Sequence, residues 1–311
     1  MRRFRKLLVV PATLTMSDPA LQRAIKLARS SDATLTILWA QDAGSDGGTG
    51  IEYFPEVMNA LQNQLNNLTA EVEALHPGRV FSSLEEGKIL LEVMRCVQND
   101  SFDLVLKTAR GNLSGRRALF GSDASHLLRK CPVPVWIIDS HRQEDSAVLV
   151  AIDPMASEPD SKALTQKILQ VGSSLSALEG VDLHVVHAWE SPNDRIRRSL
   201  SWLTPALVDK IPNDEAIGKH HEGALNAAIA PFRAEYPKMG VHLVRGSAEE
   251  QVPKLAFEIN AGTLVMATMA RSGLPGLLIG NTAEVIINDT NRSVLVVKPD
   301  DFQTPLTVPP R

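Results

Sequence analysis

Leu7-Leu8-Val9-Val10-Pro11-Ala12 returns 141 residues later as Val148-Leu149-Val150-Ala151-Ile152-Asp153. Each is a short, unbroken apolar run, the pattern of a strand buried on both faces of a parallel sheet. Working outward, Leu35-Thr36-Ile37-Leu38-Trp39-Ala40 matches Leu183-His184-Val185-Val186-His187-Ala188. From Gly87, matching Gly246, to Val135, matching Val294, the halves align without a gap at a single offset of 159. Such self-similarity marks a duplicated fold rather than a chance likeness. The change of offset leaves the second half about 18 residues longer before Gly246, and the extra chain is expected within Ser191 to Pro212, which is rich in Pro, Ser and Arg.

Asp103-Leu104-Val105-Leu106 and Gly262-Thr263-Leu264-Val265 read as fourth strands, Pro134-Val135-Trp136-Ile137-Ile138 and Ser293-Val294-Leu295-Val296-Val297 as fifth strands. Between the strands run helical patterns over 21–28, 57–75, 89–98 and 122–129, then 163–178, 216–236, 249–258 and 282–289. Buried strands alternating with amphipathic helices need right-handed crossovers, hence a parallel sheet with helices on both faces. The fold class is therefore α/β: two tandem doubly wound, Rossmann-like domains. The expected limits are 1–140, a polar linker at 141–145, a second domain at 146–298 and a tail at 299–311. A length of 311 residues suits two units at roughly 150 residues each.

Composition narrows the function. With 44% hydrophobic and 22% charged residues the chain is an ordinary globular protein, and a net charge of −4 provides no overall field for a phosphate backbone, so nucleic acid is not the expected partner. Cys96 and Cys131 form neither a disulfide framework nor a CxxC pair and read as small buried residues in a reducing compartment. Pro11 cuts the first apolar run too short for a signal peptide, and no stretch approaches the roughly 18 apolar residues that span a bilayer. A cytoplasmic location with no membrane partner is expected.

The strand ending in Asp153, the glycine-containing turns after the fourth strands and the closing strands at 134–138 and 293–297 together resemble the universal stress protein family, twice and over nearly the whole chain. The segments His126 to Pro132 and Lys298 to Pro305 look most like its tandem members. The resemblance implies an adenine-nucleotide alpha hydrolase-like fold, and in ATP-binding members a Gly-x2-Gly-x9-Gly-Ser/Thr loop after the fourth strand. There, glycines let backbone approach phosphate and a helix N-terminus favours the anion. In the first half the register reads Thr108, Gly111, Gly121 and Ser122, so one glycine is missing; in the second it reads Ala267, Ala270, Gly280 and Asn281, so two are replaced. Where such a position requires positive φ, alanine costs on the order of 1 to 2 kcal/mol. Asp153 matches the family residue on the adenine side of the ligand, whereas the first half has Ala12.

The residues expected to bind a ligand are Lys107, Thr108, Gly111, Gly121 and Ser122 in the first half, and Ile152, Asp153, Pro154, Ala188, Met266, Ala267, Ala270, Arg271, Gly273, Gly280, Asn281 and Thr282 in the second. Several have plainer readings. Asn281-Thr282-Ala283-Glu284 has the spacing of a helix N-cap, and Arg271 that of a solvated loop cation. Lys107 stands where the second half has Met266, and must snorkel or find an anionic partner. His184 and His187 are three apart on a strand and point to opposite faces; adjacent His220 and His221 diverge on a helix, so no metal site is expected. Ser122, Asp123, Ser125 and His126 lie within about one helical turn and lack a nucleophile elbow, against a triad. Arg195, Arg197, Arg198 and Trp202 read as a solvated insertion.

The expected function is a non-catalytic stress-response regulator with an altered nucleotide loop and a ligand pocket in the second half. It requires no cofactor and would take ATP, AMP or another nucleotide-like or amphiphilic ligand. The resemblance also implies that its halves pair through 133–138 and 293–297, since single-domain members of the family pair through their fifth strands; a homodimer and protein partners are expected as further assemblies. An interaction scaffold without a small-molecule ligand is the alternative; slow ATP hydrolysis ranks last, since no carboxylate pair marks a metal site.

Overall fold

A computed structural model of the chain describes residues 4–42, 54–109, 122–140, 147–156, 161–194, 214–268, 280–306 and 308. The first repeat runs β1 (Lys6–Val10), α1 (Pro19–Ser31), β2 (Thr34–Gln41), α2 (Phe54–Leu75), β3 (Val80–Glu86), α3 (Ile89–Asn99), β4 (Leu104–Thr108), α4 (Ser122–Lys130) and β5 (Val135–Ile138). The second runs β6 (Ala147–Ala151), α5 (Ser161–Glu179), β7 (Asp182–Trp189), α6 (Glu215–Arg233), β8 (Gly240–Arg245), α7 (Ala248–Glu258), β9 (Thr263–Ala267), α8 (Asn281–Asp289) and β10 (Ser293–Val297). The elements read from periodicity are present, with ends shifted by a few residues. The two third strands, β3 and β8, were not among them.

The chain forms two compact units. One comprises Met1–Glu144, Thr268–Gly280 and Asn291–Arg311; the other comprises Asp145–Ala267 and Asn281–Thr290. In the first, the parallel strands lie in the order β3-β2-β1-β4-β5, with Leu7 opposite both Leu35 and Leu104. β10, the last strand of the second repeat, lies in this unit and runs antiparallel to β5, setting Val294 opposite Ile137 and Leu295 opposite Trp136. In the other unit the parallel order is β8-β7-β6-β9. β1, β4, β5 and β10 are buried almost throughout, which is why their sequences are continuous apolar runs.

Helix α1 shows how local sequence sets an element. Asp18 caps it, Pro19 opens it, and Ala20, Leu21, Ala24, Ile25, Leu27 and Ala28 form its buried face at three- and four-residue spacing. Asp32, with φ 53° and ψ 40°, ends it in the left-handed region. At the other end of the first repeat, Lys298 Nζ donates to the carbonyl of Arg129 at 2.7 Å, satisfying one of the free carbonyls at the end of α4. The ammonium lies 4.1 Å from the Phe302 ring centre, and burial pulls its pKa down to about 7. Cys131 is buried and Cys96 partly so, and burial pushes both thiols up to about 11, far from reactive thiolates.

Candidate functional site

Strand order 3-2-1-4-5 reverses direction between β1 and β4, and a doubly wound sheet opens a crevice outside the carboxyl ends of the strands at that point. A cavity of about 590 Å³ lies there. Its walls are Val10 and Pro11 after β1, Trp39 to Asp42 at the end of β2, Gly87 to Leu91 at the start of α3, Lys107 on β4, and Ser122, Asp123 and His126 on α4. Lys107 lines this cavity and is 5% exposed, so little of its side chain reaches bulk water. Lys88 occupies the N-cap position of α3, and the N-terminus of α4 contributes its first turn. Two lining residues carry unsatisfied polar atoms: Trp39 Nε1 and His126 Nδ1 are buried without a hydrogen-bond partner. Each costs about 1–3 kcal/mol in that state.

The neighbouring anion position is already filled by the chain. Asp18 is 1% exposed and accepts five hydrogen bonds: from the backbone N–H of Ala12 (2.8 Å) and Thr13 (3.2 Å), of Ala20 (3.0 Å) and Leu21 (3.1 Å), and from the Thr108 hydroxyl (2.6 Å). Its carboxylate closes the positive end of α1 and ties the loop after β1 to the end of β4. Thr108, expected to face a ligand, spends its hydroxyl on this anchor, also accepting from Ala20 N at 3.2 Å.

In the other unit the corresponding strand ends carry an aromatic ladder. His187, 2% exposed, stands at the repeat position of Trp39, and its Nε2 lies 2.8 Å from His221 Nδ1 on α6. His221 stacks on Trp189 at 5.2 Å between ring centres, and the Arg245 guanidinium lies 5.3 Å from the Trp189 ring on β7. A methyl group on Gly218 would come within 3.0 Å of the Trp189 ring, so glycine lets α6 approach this closely. Arg245 also pairs with Asp194 at 2.7 Å and with Asp214 at 3.5 Å, and Asn193 donates to Asp214 at 2.7 Å. On the opposite face of β7, His184 Nδ1 lies 2.8 Å from His242 Nε2. The opposite orientations expected for His184 and His187 are thus seen; the pairing of each with a distant histidine was not legible. Burial lowers the pKa of all four rings below the usual imidazole value. No group of three or more candidate metal ligands occurs among the described residues.

Of the second-half residues singled out from sequence, Ile152 is buried and its carbonyl faces His187 Nδ1 at 3.2 Å, while Asp153 is exposed and accepts from Met155 N at 3.1 Å. Pro154 and Ala188 are half-buried beside them in the chain, and Met266 and Ala267 end β9. Gly280 precedes α8, on which Asn281 and Thr282 are exposed; the Thr282 hydroxyl is engaged by Glu249 at 2.5 Å. Gly111, Gly121, Ala270, Arg271 and Gly273 lie outside the described residues, as do the linker and Arg195, Arg197, Arg198 and Trp202. Sequence reasoning missed Asp18, Trp39 and Lys88; the first sits just before Pro19 in a visible N-cap signal.

A doubly wound parallel sheet with a crevice at its switch point, followed by a second copy of the same element order, defines a tandem Rossmann-like α/β protein. The chain belongs to the universal stress protein family, whose model matches residues 3–139 and 146–298. It is similar to universal stress protein E of Salmonella typhi, 33% identical over 208 residues, a match that covers 66% of this chain and 64% of the relative. The protein of the same name from Escherichia coli K12 is 31% identical over 221 residues, covering 69% and 66%. A crystal structure of a putative universal stress protein from Pseudomonas aeruginosa superposes with a TM-score of 0.69 at 24% identity over 96% of this chain and 95% of that one, a likeness of fold. Among the described residues no helix is long and apolar enough to cross a membrane.

Proposed function

We propose that this member of the family is a non-catalytic, cytoplasmic stress-response regulator that takes an anionic, nucleotide-like ligand in the cleft outside β1 and β4. The observation that carries the reading is the 590 Å³ cavity with the nearly buried Lys107 in its lining. Its size falls within the roughly 300–1,000 Å³ of small-molecule pockets. Lys88, the first turn of α4 and the unpaired Trp39 Nε1 add hydrogen-bond donors that suit phosphate and carbonyl oxygens. Ala12 offers no carboxylate to read a base, so phosphate contacts dominate the expected affinity. The site sought first in the second half, around Asp153, remains a second location, because the carboxylate is exposed at the end of β6 and influences both His187 and His221.

The test is calorimetric titration of ATP and AMP into ligand-stripped protein, alongside Lys107→Met and Asp153→Ala. Lys107→Met copies the residue of the second repeat and is expected to weaken binding about tenfold, the equivalent of one lost charge-assisted contact near 1.4 kcal/mol. A loss confined to Asp153→Ala would move the site to the second repeat. Absence of binding by the intact protein would leave the interaction scaffold.

A further inference from the structure

Four histidines of the second unit form two hydrogen-bonded pairs, and only one pair joins a helix to the sheet. We propose that His187 and His221 are an acid-released latch, which holds the first half of α6 against β7 at neutral pH and frees it when the pair takes up a second proton. This inference stands independently of the ligand reading.

The hydrogen bonds fix the proton positions. Ile152 O can only accept, so His187 Nδ1 carries the proton that it donates there at 3.2 Å. The Nε2 of a neutral His187 is then a lone pair, and His221 Nδ1–H donates to it at 2.8 Å. A first proton settles on His221 Nε2 and leaves this bond intact. A second can only land on His187 Nε2, which sets N–H against N–H and puts like charges on rings 5.0 Å apart.

The helix is poised to respond. Its buried residues are Leu225 and Ile229, both in the second half, whereas residues 215–224 include no buried side chain. The first half is held by the His221 contacts and by the approach of Gly218 to Trp189. Local opening draws on such thinly anchored segments.

The charged groups around the pair are known on each side. After β6, Asp153 favours protonation of both rings. On α6, His220 opposes it, Glu222 is exposed, and Lys219 pairs with Glu215 at 2.8 Å. Glu190 follows β7, and Arg245 on β8 is matched by Asp194 and Asp214. His184 and His242 lie on the other face. Desolvation is the largest influence on each latch histidine and lowers its pKa. The native protein then binds fewer protons than the unfolded chain just below the ordinary histidine value of about 6.5. The latch contributes fully above that pH and weakens as pH falls through the folded-state values.

Hydrogen exchange of the full chain at pH 7.5 and 5.0, corrected for intrinsic rates, tests the proposal. Segment 215–224 is expected to lose at least tenfold of its protection at pH 5.0 while β7 and β8 keep theirs. His221→Phe preserves a ring on Trp189 but cannot take a proton, and should make that protection independent of pH; His242→Phe should leave the loss in place. Unchanged protection in the wild type, persistence of the loss in His221→Phe, or its disappearance in His242→Phe would each overturn the latch. Imidazole nitrogen shifts of the unmodified protein offer a check that needs no variant: His187 carries its proton on Nδ1 at pH 7.5, and finding it on Nε2 would also refute the proposal.

Discussion

Asp18 gathers five hydrogen bonds on one buried carboxylate, from four backbone N–H groups and the Thr108 hydroxyl. Asp18→Ala is expected to destabilise the protein by about 3 kcal/mol, since it removes a helix cap and orphans several donors together. In a unit of this size that corresponds to a fall in melting temperature of roughly 6–12 °C, measurable by calorimetry. Asp18→Asn, which keeps an acceptor oxygen in place, should lose less than half as much. If Asp18→Ala melts with the wild type, the carboxylate is not the anchor that its contacts make it. The cap before Pro19 was legible in principle from an Asp-Pro pair opening an apolar helical pattern. Its reach to Thr108 was not, because that partner is 90 residues away and only the sheet brings the two together. Gly87 and Gly246 were legible as repeat partners, and they share a positive φ, 142° and 135°. Lys107 was legible as odd against Met266; that it lines a cavity with Trp39 and His126 follows only from the packing of three elements.

At the scale of elements, central strands announced themselves and edge strands did not. Val80-Phe81-Ser82-Ser83-Leu84-Glu85-Glu86 and Gly240-Val241-His242-Leu243-Val244-Arg245 lie at the ends of their strand orders and are only partly buried, so no continuous apolar run marks them. Helices were read well because each covers a sheet with one stripe of side chains. Termini depend on finer contacts, and α4 is an example, ending on Lys298 from beyond β10. Burial holds this lysine at about 7 in the folded protein, well below the ordinary value of 10.5. The native protein therefore binds fewer protons than the unfolded chain between those values, and stability should rise with pH across the window and decline as pH falls through 7. Denaturation midpoints measured between pH 7 and 8, where the cysteines stay largely protonated in the unfolded chain (ordinary value 9.0) as well as in the folded one, should climb for the wild type. In Lys298→Met the climb should vanish; an equal climb in both would show that the buried ammonium does not control it.

For the molecule as a whole, the consequential pairing is the one between β5 and β10. Residues distant in the chain are neighbours here, Val296 opposite Val135, and Ser293 Oγ accepts from Asp139 N at 3.1 Å. A fragment ending at residue 145 would keep β1 to β5 but leave the β5 edge bare, and an unpaired apolar edge recruits another strand. Such a fragment is expected to self-associate in analytical ultracentrifugation at micromolar concentration, and Trp136→Lys within it should abolish the association. A strictly monomeric fragment would mean that β5 does not need the cover. In the intact chain the covering strand arrives on the same polypeptide, so this edge is sealed equally well by a single molecule. The cover for this edge therefore does not depend on how many copies of the protein are present: each folded chain carries its own.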